Sequence, residues 1–163
     1  MPRQPAPDDP LHLAQFLPYR LSVLANIVSA TISAAYAEAH QLSIPEWRVI
    51  AVLAREPGLS AAEVGERTAM DKVAVSRAVA GLLRRRRIVR RQGSADRRRR
   101  HLELSPAGMA VYRQVVPSAR EYERELLQAL SAGEVRHLDA CLSKLLDRAR
   151  TLAARRIIRA NIT

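Results

Sequence analysis

The spacing of apolar residues along this chain predicts helices over most of its length. From about residue 11 to residue 39, apolar side chains recur every three or four positions, which is the period of a helix with one apolar face. Pro18 lies early in this stretch, so the long helix is expected either to begin there or to carry a kink. The same period returns in segments that begin near residues 44, 60, 71, 106 and 131. Two short segments, 88–92 and 100–104, instead alternate as strands do. The pattern predicts a mostly α-helical protein with one small β-hairpin.

Several predicted helices begin at recognisable capping residues. In a capping box, Ser accepts a hydrogen bond from a backbone N–H three residues later, and Glu at that later position reaches back. Asp71 and Ser105 are expected to cap two further helices, the latter with Pro106 in the first turn. The three capping boxes are Ser43 to Glu46, Ser60 to Glu63 and Ser131 to Glu134.

Two of these helices, predicted at 60–68 and 71–86, are joined by only a few residues, which is the spacing of a helix-turn-helix. One face of the second helix carries apolar residues at core spacing. The opposite face carries small or basic residues, as entry into the major groove of DNA requires. The candidate DNA contacts in this unit are Ser60, Lys72, Val73, Ser76, Arg77 and Arg84.

Positive charge is concentrated directly after this second helix. Residues 84–100 contain ten arginines and one acid, which is +9 of the formal net charge of +11. A charge run is usually a solvated face. Because this one is nearly all arginine and includes a turn signal, Gly93 to Asp96, between two predicted strands, we interpret it as the wing of a nucleic-acid-binding unit. An acidic membrane is a weaker alternative, since no amphipathic anchor accompanies the run. The wing residues predicted to contact DNA are Asp96, Arg97, Arg98 and Arg99.

From about residue 16 to residue 146 the chain resembles MarR-type regulators, the multiple antibiotic resistance regulator family. The residues that carry the resemblance are LSIPEWRVIAVLAREPGLSAAEVGERTAMDKVAVSRAVAGL, then Asp96-x-Arg98 and Leu102-x-Leu104-Ser105-x-x-Gly108. The resemblance implies an obligate homodimer whose first and last helices form the interface and whose two winged helices read a pseudo-palindrome. It also implies that Asp96 orients Arg98 and that Arg98 enters the minor groove.

One position departs from the family pattern. The family usually has Gly where Arg87 stands, between the recognition helix and the first strand. A left-handed backbone there would cost Arg about 1 kcal/mol more than Gly.

Within the family, FLPYRLSVLANIVS (16–29) with IPEWRV (44–49) resembles regulators of aromatic-acid catabolism, which respond to hydroxycinnamate-like or benzoate-like acids or their CoA thioesters. A polar stripe on the first helix, continuing to Ser33, fits a pocket wall with aromatic faces and an arginine for a carboxylate. It fits equally a helix edge satisfied by water or by a partner, and Trp47 and Tyr112 also suit a plain core. The candidate effector contacts are Phe16, Tyr19, Arg20, Ser22, Asn26, Ser29, Trp47, Arg48 and Tyr112.

Other chemistry finds no support in the sequence. The four histidines lack metal-ligand spacing. There is no phosphate-binding glycine loop and no recognisable hydrolase triad, so we expect no enzyme, no cofactor and no metal. Cys141 lies on an apolar helix face and is expected to be a buried, inert thiol. No unbroken apolar run of about 18 residues and no signal core are present, so we expect a cytoplasmic protein without a membrane partner.

These patterns predict a winged helix-turn-helix with long N- and C-terminal dimerisation helices. We expect a flexible arm at 1–10 and one domain at 11–163, divided into a dimerisation helix (11–42), the winged helix-turn-helix (43–105) and C-terminal dimerisation helices (106–163). The predicted function is a homodimeric transcription regulator that binds double-stranded DNA. We expect a repressor released from a pseudo-palindromic operator by an aromatic acid or its CoA thioester.

Two other nucleic-acid functions remain as alternatives. An architectural DNA-binding protein without an effector would use the same basic surface. An RNA-binding winged helix is disfavoured, because the basic segment lacks the stacking aromatics that such modules use.

Overall fold

The computed structural model describes residues 11–92 and 100–160. These ranges contain six α-helices and two strands, and a 3-10 helix, Leu13–Gln15, precedes the first α-helix. The elements are α1 (Leu17–His40), α2 (Ile44–Arg55), α3 (Ala61–Thr68), α4 (Lys72–Arg84), β1 (Ile88–Gln92), β2 (Arg100–Leu104), α5 (Pro106–Leu127) and α6 (Ala132–Ala160). A helix-turn-helix, α3–α4, is followed by a β-hairpin, which confirms the predicted fold class.

The predicted capping residues begin the helices as expected. Ser43 Oγ accepts from the Glu46 N–H at 3.4 Å, and the Glu46 carboxylate accepts from the Ser43 N–H at 3.0 Å. The same reciprocal pair forms at Ser60 and at Ser131. The Asp71 carboxylate accepts from the Ala74 N–H at 2.8 Å at the start of α4. Local sequence signals therefore fix where four of the helices begin.

The long first helix begins at Leu17, with Phe16 extended and Pro18 in the first turn, which agrees with the prediction that it starts at Pro18. The end of the recognition helix differs from its prediction. The recognition helix ends at Arg84 instead of Arg86, because the backbone at Arg86 is left-handed. The predicted arm at 1–10 lies outside the described residues.

The β-hairpin is antiparallel and joins the core through one face. Ile88 pairs with Leu104 and Arg90 with Leu102, and Ile88 and Leu102 are buried. The loop after α2 adds a third backbone partner: the Gly58 N–H donates to Leu102 O at 3.0 Å, and the Leu102 N–H donates to Leu59 O at 2.8 Å. The base of the wing is thereby fixed to the helix-turn-helix.

The chain divides into two compact units, Met1–Ala119 and Arg120–Thr163. The expectation of a single domain stays a prediction, since compactness alone does not decide it. The core lies in the first unit and is built mainly by α2, α3, α4 and the hairpin. Its buried side chains are Tyr36, Leu42, Val49, Ile50, Leu53, Val64, Val75, Ala78, Val79, Leu82, Ile88, Leu102 and Val115.

The two longest helices leave apolar residues exposed in the single chain. In α1, which is described throughout, Tyr36 is the only buried residue. From 132 to 155, α6 has no buried side chain. Cys141 is exposed there, so the prediction of a buried thiol is wrong for the single chain. The large apolar residues exposed on these helices include Leu17, Leu21, Leu24, Ile27, Leu138, Leu142, Leu145, Leu146 and Leu152.

Among the described residues, α1 is long and apolar enough to span a membrane by length and composition, with a mean hydropathy of 1.3. One such helix is weak evidence, because helices of other kinds pass the same test. The sequence-based expectation required an unbroken apolar run, which serines and Asn26 interrupt in α1.

Candidate nucleic-acid interface

The recognition helix α4 has one buried face and one exposed face. Val75, Val79 and Leu82 are buried in the core. The predicted DNA contacts of α4 all lie on the exposed side: Lys72, Val73, Ser76, Arg77 and Arg84. The face that solvent reaches therefore combines three cations with a hydroxyl and one apolar side chain, a set of groups that can meet phosphates and base edges.

Ser60 differs from the other candidate contacts because its hydroxyl is already engaged. Its Oγ donates to the Glu63 carboxylate at 2.6 Å and accepts from the Glu63 N–H at 3.3 Å. This residue therefore begins α3, and its role as a DNA contact stays a prediction.

The C-terminal end of α4 closes in a Schellman turn. The Arg87 N–H donates to Leu82 O and the Arg86 N–H to Leu83 O, both at 2.9 Å. Arg86 has φ 55°, in the left-handed region where glycine is favoured. The left-handed residue is therefore Arg86 and not Arg87, so the cost that a left-handed backbone at Arg87 would carry does not arise there.

A buried carboxylate holds this end of α4 against the start of α2. Glu46 is 7% exposed, and its Oε1 accepts from Arg85 Nη1 at 2.6 Å while its Oε2 accepts from Ser43. Gly81 makes room for this carboxylate, because a Cβ there would lie 2.2 Å from Glu46 Oε1. We call this group, Ser43, Glu46, Gly81 and Arg85, the Glu46 clasp.

The Arg87 side chain forms a second contact of this kind, with the C-terminal end of α1. Its Nη2 donates to the carbonyl oxygen of His40. Its Nη1 is buried with no hydrogen-bond partner among the described residues. Burial lowers the pKa of Arg87, the positive charge of Arg85 lowers it further, and Glu46 partly opposes the change. Arg87 thus serves the packing of the helix-turn-helix and is poorly placed to reach a phosphate.

Two arginines of the wing lie on β1. Arg90 and Arg91 are exposed on β1, and Arg91 Nε donates to Glu103 at 2.7 Å. His101 Nδ1 lies 2.6 Å from Gly58 O, which adds a contact at the base of the wing. The predicted contacts Asp96, Arg97, Arg98 and Arg99 lie outside the described residues.

A groove of about 590 Å³ lies between α3, α4 and β1, and it was not predicted from the sequence. Its lining is mainly apolar and also includes two cations, Lys72 and Arg90, and one acid, Glu66. The lining residues are Ala61, Ala62, Gly65, Glu66, Met70, Lys72, Val75, Ser76, Val79 and Arg90. Because Lys72 and Ser76 are also candidate DNA contacts, the groove belongs to the same surface.

Among the candidate effector residues, Trp47, Arg48 and Tyr112 lie around one aromatic cluster. The Trp47 ring is 5.5 Å from Tyr36 and 6.0 Å from Tyr112, centroid to centroid. Burial raises the pKa of Tyr36, and the positive charge of Arg48 partly opposes this, which places that charge near the phenol. Tyr36 was not among the predicted site residues, although it follows Ser29 and Ser33 along the same stripe of α1.

The other candidate effector residues lie elsewhere on α1. Phe16, Tyr19 and Arg20 are exposed near the N-terminus of α1, about 24–30 Å along the helix axis from Tyr36. One small acid cannot contact both groups within a single chain. Ser22 and Asn26 are exposed between the two groups, and Ser29 is half-buried nearer to Tyr36. No group of three or more metal-ligating side chains occurs in the part of the chain that the structure describes.

Comparison with known proteins agrees with this geometry. The MarR family model matches residues 40–99. A MarR/EmrR family transcriptional regulator from Acinetobacter sp. ADP1 is 27% identical with a TM-score of 0.80, and the match covers 86% of this chain and 99% of that one. The fold is that of MarR-family regulators. No curated protein matches the chain.

Two further similar structures come from studies of a regulator and its ligand. PcaV from Streptomyces coelicolor, in complex with its natural ligand, is 23% identical with a TM-score of 0.71, covering 86% of this chain and 99% of that one. BpsR from Bordetella bronchiseptica, whose DNA binding is regulated by 6-hydroxynicotinic acid, is 22% identical with a TM-score of 0.74, covering 85% and 99%. At these identities the likeness shows the fold alone.

Proposed function

We propose that this protein is a homodimeric transcription regulator that places α4 in the major groove of double-stranded DNA. The observation that carries the proposal is the exposed face of α4, where Lys72, Ser76 and Arg77 stand opposite the buried core face. The hairpin that follows α4 carries the exposed Arg90, which can approach the flanking phosphate backbone. The likeness to MarR-family regulators supports the same function. The proposal includes a cytoplasmic location, where a transcription regulator of this kind would reach its DNA.

The exposed apolar faces of α1 and α6 support the homodimer. A soluble monomer rarely exposes long contiguous apolar faces, whereas two copies related by a two-fold axis cover each other's. Such a dimer presents two copies of α4 to half-sites about one helical turn, roughly 10 bp, apart. With several arginines per subunit on phosphates, affinity should fall with salt along a log–log slope of about 5 or more in magnitude.

We further propose that the protein is a repressor and that an aromatic acid, free or as its CoA thioester, releases it from DNA. The half-buried rings of Trp47 and Tyr112, which pack with the buried Tyr36, supply aromatic surface, and Arg48 supplies a cation near them. A ring carrying a carboxylate matches both features. The regulation of BpsR by 6-hydroxynicotinic acid supports this chemical class. A CoA thioester would in addition require basic residues for its phosphates.

The DNA function is tested by selecting bound sequences from a random library and measuring affinity for the selected site. Arg77→Ala should weaken binding to that site by about 1–3 kcal/mol and binding to random DNA much less. Arg113→Ala, an exposed arginine of α5, is the matched control and should change neither. If no sequence is enriched, the architectural alternative replaces the regulator.

The effector is tested by calorimetry with benzoate, p-coumarate, ferulate and their CoA thioesters. A true effector weakens DNA binding by the same factor by which DNA weakens effector binding, about 5- to 150-fold. Arg48→Ala should weaken binding of the acid, and Arg55→Ala, the other exposed arginine of α2, should not. If no acid binds, or if binding leaves the DNA affinity unchanged, the aromatic cluster is only packing.

A further inference from the structure

Val73 is the one large apolar side chain that is exposed on the recognition helix α4. It is 58% exposed, and no other large apolar side chain of α3 or α4 is exposed in this way. It is the second residue of α4, and both its neighbour Lys72 and the residues one turn later, Ser76 and Arg77, are exposed and polar. The first turn of a recognition helix is the part that most directly meets base edges.

We infer that Val73 reads the C5-methyl group of a thymine in each half-site. In the major groove thymine is the base that presents an apolar group, and apolar side chains recognise it by contact. A valine in a helix holds one side-chain rotamer almost exclusively, so its two methyl groups are fixed in direction before DNA arrives. This inference rests on the proposed function and names part of the sequence that α4 reads.

The position of Arg77 predicts a second base at a fixed distance from this thymine in the DNA site. It lies four residues after Val73, on the same face of α4 and about 6 Å further along the helix axis. Stacked base pairs are about 3.4 Å apart. An arginine that reaches a base edge binds guanine through O6 and N7. We therefore expect each half-site to contain a thymine with a guanine about two base pairs away.

The experiment replaces single thymines of the selected site by deoxyuridine, which removes only the methyl group. At the thymine read by Val73, the wild-type protein should bind about fourfold more weakly, as expected for one methyl group, and about fifteenfold more weakly when both half-sites are changed. Val73→Ala should bind thymine and deoxyuridine sites equally. Because Val73 is exposed, this variant should unfold at the same temperature as the wild type or above it.

A second substitution in the DNA gives a positive control. Replacing the same thymine by cytosine should weaken wild-type binding, and 5-methylcytosine at that position should recover part of the loss, in the wild type but not in Val73→Ala. Equal effects of deoxyuridine on both proteins, or no effect at any thymine, would overturn the inference while leaving DNA binding intact. The absence of any selected sequence would overturn both the proposed regulator and this reading.

Discussion

The four consecutive arginines from Arg84 to Arg87 divide between two tasks. Arg84 and Arg86 are exposed to solvent, where phosphates could approach them. Arg85 is bonded to the buried Glu46, and Arg87 to the carbonyl of His40. Two of the four charges therefore hold the end of α4 in place instead of extending the basic surface. The charge available to DNA is smaller than the sequence count indicates.

Glu46→Gln tests the ion pair between Glu46 and Arg85. The variant keeps the shape of the side chain but leaves the Arg85 guanidinium without its charged partner. Because Arg85 is only 34% exposed, we expect a loss of about 2 kcal/mol in the free energy of unfolding, measured with urea. Glu56→Gln removes the partner of Arg67 in an ion pair that is 40–50% exposed, and it should cost much less than Glu46→Gln, because solvent screens an exposed pair. Equal losses would show that burial does not distinguish the two pairs.

At the scale of elements, glycines set how closely the helices of this fold approach. Gly81 brings α4 onto the Glu46 carboxylate, and Gly108 brings the first turn of α5 onto the backbone of Arg87, where a Cβ would lie 1.9 Å from the carbonyl oxygen. Neither glycine has a positive φ, so the requirement is for space and not for backbone freedom.

Gly81→Ala should therefore change the stability of the protein in the direction opposite to the one that helix propensity predicts. In the middle of an exposed helix, Gly→Ala stabilises by about 1 kcal/mol. Here the added methyl group would displace the Glu46 carboxylate, so we expect a net loss of stability in urea unfolding. Combined with Glu46→Ala, which removes the obstructed group, the same substitution should cost far less. A stabilised single variant would mean that the clasp shifts freely.

Most of the element order could be predicted from the sequence because its signals are local. Capping boxes such as that of Ser60 and Glu63 act over three residues, and the strands around Ile88 and Leu102 alternate visibly. The Glu46 clasp could not be predicted, since Glu46 and Arg85 lie 39 residues apart. Of the candidate site, the exposed face of α4 follows from helical periodicity. The separation of the effector residues into two groups depends on the length of α1 and on how α2 packs against it.

At the scale of the whole molecule, the buried side chains among the described residues lie between Tyr36 and Val115 in the sequence. Most of α1, which precedes this range, and the described side chains of α6, which follow it, bury almost nothing within the chain. We expect their order to depend on the second subunit. Thermal stability should accordingly rise with protein concentration, as it does when folding and association are linked.

Leu142→Glu tests this dependence. Leu142 lies on the exposed apolar face of α6, and a carboxylate there should prevent close pairing of two apolar surfaces. We expect a monomer by light scattering and a large loss of affinity for a two-half-site DNA. Lys144→Glu introduces the same group about 160° around the helix, away from this face, and should remain dimeric. A dimeric Leu142→Glu protein would place the interface elsewhere.

The left-handed backbone at Arg86 implies a compromise between thermal stability and affinity for DNA. Glycine suits φ 55° better, so Arg86→Gly should gain up to about 1 kcal/mol of stability and melt at a higher temperature. The same change removes one exposed cation beside the recognition helix, so its log–log salt slope on DNA should be shallower by about 1 per subunit. Melting curves of the wild type and Arg86→Gly measure the change in stability, and salt titrations of their DNA binding measure the change in slope. A variant that melts higher and keeps the full salt slope would show that the arginine contributes nothing to DNA binding in return for its strain.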